Sequence, residues 1–177
     1  MCGNLISWVF QSNREMVPIV TIDGPSGSGK GTIAKALALR LNWNYLDSGL
    51  LYRCFAFLHN QDVDNISEAF SRIEHKYDSE SEDILFDENN ITSIIRGKEI
   101  TVLSSQLSQK SEVREQLMQI QKQYRKLPGL VAEGRDMSSK LFPDSKVKIY
   151  LTADLSERVN RRANQLRNDG QKVNISE

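Results

Sequence analysis

The stretch Gly24-Pro25-Ser26-Gly27-Ser28-Gly29-Lys30-Gly31-Thr32 decides how the rest of the chain is read. It follows an apolar run at residues 17–22 and opens an amphipathic segment at residues 33–41. A glycine-rich loop between a strand and a helix is a phosphate cradle. Its glycines let successive N–H groups curl inward, and the helix start adds unpaired amides and the positive end of its dipole. Lys30 supplies a mobile positive charge for the outer phosphates. The match to the pattern Gly-x4-Gly-Lys-[Ser/Thr] fails only at its last place, where Gly31 stands and the hydroxyl arrives one residue later at Thr32.

The bulk properties frame that motif. At 177 residues the chain suits one domain with a small insertion. Its 23 basic residues balance 23 acidic ones, so nothing points to nucleic acid or to a membrane surface as a partner. Two cysteines, Cys2 and Cys54, make no disulfide framework; a reducing, cytoplasmic setting and a core role for Cys54 are expected. The apolar run at residues 5–10 is too short for a membrane span and lacks a preceding positive region. Residues 1–15 read as a poorly ordered extension, with Met16 a candidate start of the domain proper, 16–177.

Outward from the cradle, residues 17–22 read as a buried strand and 43–46 as a second. A helical run follows over 50–58. Strand, helix and strand at this spacing imply a parallel sheet with right-handed crossovers. Asn65, with Glu68 three places on, signals a helix start. Residues 78–102 read as a small β insertion with strands at 84–86, 91–95 and 99–102. Residues 111–127 give the clearest long helix, with Val113, Leu117, Ile120, Tyr124 and Leu127 as its apolar stripe and Pro128-Gly129 as its stop. Residues 130–132 and 147–151 complete the sheet. Asp154 and Glu157 form a capping box for a last helix that Gly170 ends, and residues 174–177 resemble a further first turn.

In an open parallel sheet, ligands gather beyond the carboxyl ends of the strands. Those ends deliver the cradle, Asp47-Ser48-Gly49 with Tyr52-Arg53, and Glu133-Gly134-Arg135-Asp136. A phosphate cradle facing two arginines suits two phosphorylated substrates, because a guanidinium fork binds phosphate bidentately. Read alone, Arg53 is equally a solvated helix residue, Arg114 is a surface residue, and Arg158, Arg161 and Arg162 are a basic helix face. His59 and His75 show no ligand spacing and receive no role.

Several motifs then fall in a familiar order. The stretch from Ile22 to Thr32 resembles the opening of bacterial cytidylate kinases. So do Leu46-Asp47-Ser48-Gly49, Ser105-Gln106, Val113-Arg114, Leu127-Pro128-Gly129-Leu130, Glu133-Gly134-Arg135-Asp136-Met137 and Phe142-Pro143-Asp144. The resemblance covers residues 17–177. It implies an α/β P-loop nucleoside monophosphate kinase fold: a parallel sheet flanked by helices, with an acceptor-binding insertion at 62–105. It also implies phosphoryl transfer from ATP, with Mg2+, to CMP or dCMP by a monomer.

In that reading the catalytic residues are Lys30, Arg53 and Arg135. ATP is held by Gly24, Pro25, Ser26, Gly27, Ser28, Gly29, Lys30, Gly31 and Thr32, with Arg158 and Arg162 on the same side. CMP is held by Ser48, Arg53, Ser105, Arg114, Arg135 and Asp136. No residue is expected to ligate the metal directly; Asp23 and Glu133 are candidates to act through water. Cytosine offers an amino donor for a carboxylate and two acceptors for a guanidinium, which suits Asp136 and Arg114.

The chain departs from the family pattern in two places. Ser138 and Ser139 stand where Gly-Thr usually follows Met137. The resemblance also implies an Arg/Asp-rich lid, last strand and last helix beyond Glu177, so CMP binding with weak turnover is expected of residues 1–177. Two other classes stay open: a P-loop kinase for another small acceptor, and a non-catalytic nucleotide-binding fragment.

Overall fold

The computed structural model describes residues 17–61, 63 and 65–168. Four parallel strands form the main sheet: β1 (Ile19–Asp23), β2 (Asn44–Asp47), β6 (Leu130–Gly134) and β7 (Val147–Tyr150), in the order β2-β6-β1-β7. Helix α1 (Lys30–Leu41) follows β1 across the glycine-rich loop, and α2 (Ser48–Asn60) follows β2 directly. The central strands are buried along their whole length, as the apolar runs require of a parallel sheet covered on both faces.

Strand alternation distributes the core between those faces. Ile19, Leu46, Leu130 and Ala132 point to one side, against α2, α5 (Lys98–Leu107) and α6 (Ser111–Lys122). Val20, Ile22, Tyr45 and Val131 point to the other, where Ala34 and Ala38 of α1 pack tightly. Cys54 is fully buried on α2, and burial pushes its thiol up to about 12, so it behaves as a small apolar group. Strand β7 forms an edge, with Val147, Ile149 and Tyr150 exposed. Helix α7 (Leu155–Asn168) follows it. No helix among the described residues is long and apolar enough to cross a membrane.

Between α2 and α6 lies a second, antiparallel sheet: β3 (Ile73–Tyr77), β4 (Glu82–Phe86) and β5 (Asn89–Asn90). Helix α3 (Ile66–Phe70) precedes it, and Asn65 caps that helix, its Oδ1 accepting from the Glu68 N–H at 3.1 Å. Two expected strands turn out to be helical. Residues 92–96 form α4 (Thr92–Arg96), and 99–102 lie inside α5. The burial explains why: Ile91 and Ile95 are buried while Ile94 is exposed, and Ile100, Ser104 and Leu107 are buried on one side of α5. Those spacings of four and seven are helical, but four-residue apolar runs do not reveal them. Strand β3 has no counterpart in the sequence reading; its half-buried Ile73, His75 and Tyr77 alternate with exposed residues.

The expected helix over 111–127 stops at Lys122. Beyond it, Asn44 Nδ2 donates to the carbonyls of Lys126 and Gly129, both at 2.8 Å, and holds the following turn. Leu127 is therefore exposed, not part of the stripe. Before α7, the Asp154 carbonyl accepts the Arg158 N–H at 2.9 Å, while Glu157 accepts from Arg161 Nε at 2.7 Å. The expectations for residues 1–16, including Cys2 and Met16, and for Gly170 and residues 174–177, lie outside the described residues.

Candidate active site

The carboxyl ends of β1, β6 and β2 bring three acidic residues to one rim. Register pairs Asp23 with Gly134 and Asp47 with Glu133. The cradle leaves this rim from Asp23. Gly24 N donates to the Gly134 carbonyl at 3.1 Å, and a side chain at Gly24 would run into the Leu151 carbonyl. Gly27 has a φ of 76°, and a Cβ there would sit 2.7 Å from the Arg158 carbonyl oxygen. Only glycine meets both demands at position 27. Ser28 is buried, and its Oγ has no hydrogen-bond partner among the described residues. Lys30 opens α1, folds back toward the Pro25 carbonyl at 3.4 Å, and lies 3.7 Å from Glu133 Oε2.

Glu133 is almost wholly buried. Burial first, then the neighbouring Asp47 carboxylate, pushes its carboxyl up to about 9 against the opposing pull of Lys30. Burial and the Asp47 charge thus favour the neutral form of Glu133, while Lys30, 3.7 Å away, favours the ionised one. Asp47 in turn caps α2, its Oδ1 accepting from Leu50 N at 2.9 Å. One chain of contacts thus runs from the cradle lysine through the strand ends to the helix that carries Ser48, Tyr52 and Arg53.

Beside that helix lies a cavity of about 270 Å3. Ser48, Arg114 and Asp136 line it together, with Tyr52, Met118 and Gln121. Burial raises the Tyr52 hydroxyl; the Asp136 charge adds to that and Arg114 opposes it, so the three sit within electrostatic reach. Lys140 pairs with Asp136 at 3.3 Å. The other acceptor candidates are less gathered. Arg53 is half-buried on α2, Arg135 is exposed after β6, and Ser105 is exposed on α5; none of the three lines the cavity.

Of the two carboxyl groups considered for a metal-bound water, Asp23 has both oxygens engaged by the backbone and hydroxyl of residues 137 and 138. No cluster of three or more His, Cys, Asp or Glu among the described residues could hold a metal. Of the two arginines expected beside ATP, Arg158 donates from Nε to the Ala153 carbonyl at 3.1 Å, and Arg162 is half-buried.

Sequence reasoning passed over three groups. Arg161, read as solvated, donates from Nη1 to the Ser28 carbonyl at 3.3 Å and so touches the cradle itself. Gln121 reads as an ordinary helix polar residue yet is buried at the cavity. His75, which received no role, shares a hydrogen bond with Glu82 at 2.8 Å. Arg96 and Lys35 join the same carboxylate at 2.8 and 3.8 Å. That cluster holds Glu82 down to about 2, with the His75 bond the largest cause, and it ties the antiparallel sheet to α1.

The family model for cytidylate kinase matches residues 20–177. The chain belongs to the cytidylate kinase family. It is 44% identical over 170 residues to the cytidylate kinase of Stutzerimonas stutzeri, covering 90% of this chain and 74% of that protein. It is 41% identical over 173 residues to the enzyme of Pseudomonas fluorescens, covering 92% and 76%. To the enzyme of Colwellia psychrerythraea it is 40% identical over 171 residues, again covering 92% and 76%. Membership agrees with the parallel sheet, the cradle and the antiparallel insertion.

Proposed function

We propose that this chain transfers the γ-phosphoryl group of ATP to the phosphate of CMP or dCMP, giving ADP and the cytidine diphosphate. The observation that carries the reading is the line from Lys30 through Glu133 and Asp47 to the cavity lined by Ser48, Arg114 and Asp136. It supports a phosphate cradle and a base pocket sharing one rim of the sheet.

Phosphoryl transfer needs little covalent help, so catalysis rests on placement and on neutralising charge. The cradle amides and Lys30 bind the ATP phosphates, with Arg158 and Arg162 beside them. Arg53 and Arg135 turn inward on the acceptor phosphate, next to Ser48. Arg114 and Asp136 read the cytosine edge, with Ser105 approaching from α5. A site built on such pairing rejects a base that leaves its polar groups unmatched. The residues suit a Mg2+ that arrives with ATP and keeps most of its waters: Glu133 faces Lys30 and Thr32 follows on the exposed start of α1. When bound, that ion supplies charge neutralisation on the phosphate oxygens.

Calorimetric titration with CMP, UMP and AMP tests the acceptor side, and ADP release with ATP and Mg2+ tests the chemistry. The expected result is tighter binding of CMP than of either competitor, with ADP release that needs both CMP and Lys30. Equal binding of CMP and AMP overturns the reading.

A further inference from the structure

Asp23 is buried at the end of β1, and no Lys, Arg or His among the described residues forms an ion pair with it. Its charge is met by three donors from one short segment. Met137 N donates to Oδ1 at 2.7 Å, Ser138 N to Oδ2 at 2.9 Å, and Ser138 Oγ to the same Oδ2 at 2.6 Å. A buried carboxylate without a cation persists only where such donors saturate it, and bonds to a charged acceptor are the strong ones.

The segment it grips matters. Residues Met137–Leu141 form a single wide helical turn, entered directly from Arg135 and Asp136. Asp136, Met137 and Leu141 line the cavity read above as the base pocket. The residue after Asp23 is Gly24, the first of the phosphate cradle. One side chain therefore joins the origin of the cradle to the wall of the acceptor pocket. Position 138 is one of the two departures from the family pattern, and here the departure has a visible consequence. A glycine would keep the backbone bond to Asp23 but could not supply the 2.6 Å hydroxyl bond.

We propose that Ser138 is a positioning residue. Through Asp23 its hydroxyl fixes where Asp136 and Met137 stand relative to the cradle, and so sets affinity for the acceptor nucleotide without touching it. The inference rests on the acceptor site proposed above. Its test is calorimetric titration of the full chain and of Ser138→Ala, Ser138→Gly and Ser138→Thr with CMP and, separately, with ATP. The expected result is CMP binding weakened roughly three- to tenfold in Ser138→Ala and Ser138→Gly, the scale of one lost charge-assisted hydrogen bond acting at a distance. ATP binding stays within about twofold, because the cradle amides are untouched. Ser138→Thr keeps the donor and returns CMP binding to near the parent value.

Unchanged CMP binding in Ser138→Ala overturns the inference. So does equal weakening of CMP and ATP, failure of Ser138→Thr to rescue, or loss of fold in Ser138→Ala by circular dichroism, since each assigns Ser138 a general structural role. A parent chain that binds no CMP overturns the proposed function and this inference with it. A parent that prefers CMP while Ser138→Ala matches it overturns this inference alone.

Discussion

The two sides of the rim are built differently. On the donor side, Lys30, Glu133 and Asp47 sit close together, with Glu133 almost wholly buried, and the cradle backbone is locked by close approaches at Gly24 and Gly27. On the acceptor side, Arg53, Arg135 and Ser105 stand apart from the cavity that Ser48, Arg114 and Asp136 line. Placement is complete on one side before any ligand arrives. On the other, in the proposed function, a phosphate gathers the arginines. This is a division between preorganised electrostatics and side chains ordered by binding.

Removing the cradle's charge gives the largest expected effect. Lys30→Ala lowers CMP-dependent ADP release at least about a hundredfold, the scale of losing a preorganised charge at the reacting phosphate. CMP affinity by calorimetry stays within about twofold, because Lys30 is absent from the acceptor cavity. If CMP affinity fell in step with turnover, the two sides would not be separable.

Glu133 tests how dry the donor side is. Its carboxyl is raised from 4.5 to about 9 in the folded chain, chiefly by burial. The folded state therefore binds this proton more tightly than the unfolded one. The associated stability is fully present below pH 4.5 and drains away as pH rises through about 9. The slope is at most about 1.4 kcal/mol per pH unit. Urea unfolding at pH 5, 7 and 9 is expected to show the parent losing ground to Glu133→Gln at each step. A parallel pair of curves would mean that Glu133 is ionised and paired with Lys30.

The tie between the antiparallel sheet and α1 depends on Glu82, which meets His75, Arg96 and, on α1, Lys35. Its folded value of about 2 lies below the ordinary 4.5, so its contribution is present above pH 4.5 and is lost as pH falls toward 2. Glu82→Gln is expected to destabilise the chain by about 2 kcal/mol at pH 7, measured by urea unfolding, as befits hydrogen bonds to a half-buried charge. The loss should vanish near pH 2, where the parent carboxylate is itself protonated.

The same division shows in what the sequence made legible. The cradle was readable because its function resides in backbone: glycines at fixed spacing between a strand and a helix state their own geometry. The central strands β1 and β6 were readable because buried parallel strands are nearly continuous apolar runs. The insertion was not. Ile91, Ile94 and Ile95 form a run too short to distinguish strand from helix, and only packing against α2 and α5 selects the helix. Arg161 and His75 were missed for a related reason. Their partners, Ser28 and Glu82, lie 133 and 7 residues away, and no local pattern pairs them. Ser138 was visible as a departure, but its bond to Asp23 spans 115 residues and exists only because β1 and β6 are neighbours.

The smallest effect is expected where ordering by the ligand matters most. Arg135→Ala and Arg53→Ala should each raise the KM for CMP about tenfold, roughly 1.4 kcal/mol, while leaving the KM for ATP within about twofold. Arg135 is exposed and Arg53 half-buried in the free chain, so neither substitution should shift the unfolding midpoint appreciably. The double variant is the informative one. If each arginine binds the acceptor phosphate independently, the two penalties add to about a hundredfold. If the phosphate draws both inward together, losing one already frees the other from order, and the double variant falls short of that product. The second outcome is expected, since neither arginine lines the cavity. Full additivity would instead mean that the acceptor side is as preorganised as the cradle opposite it.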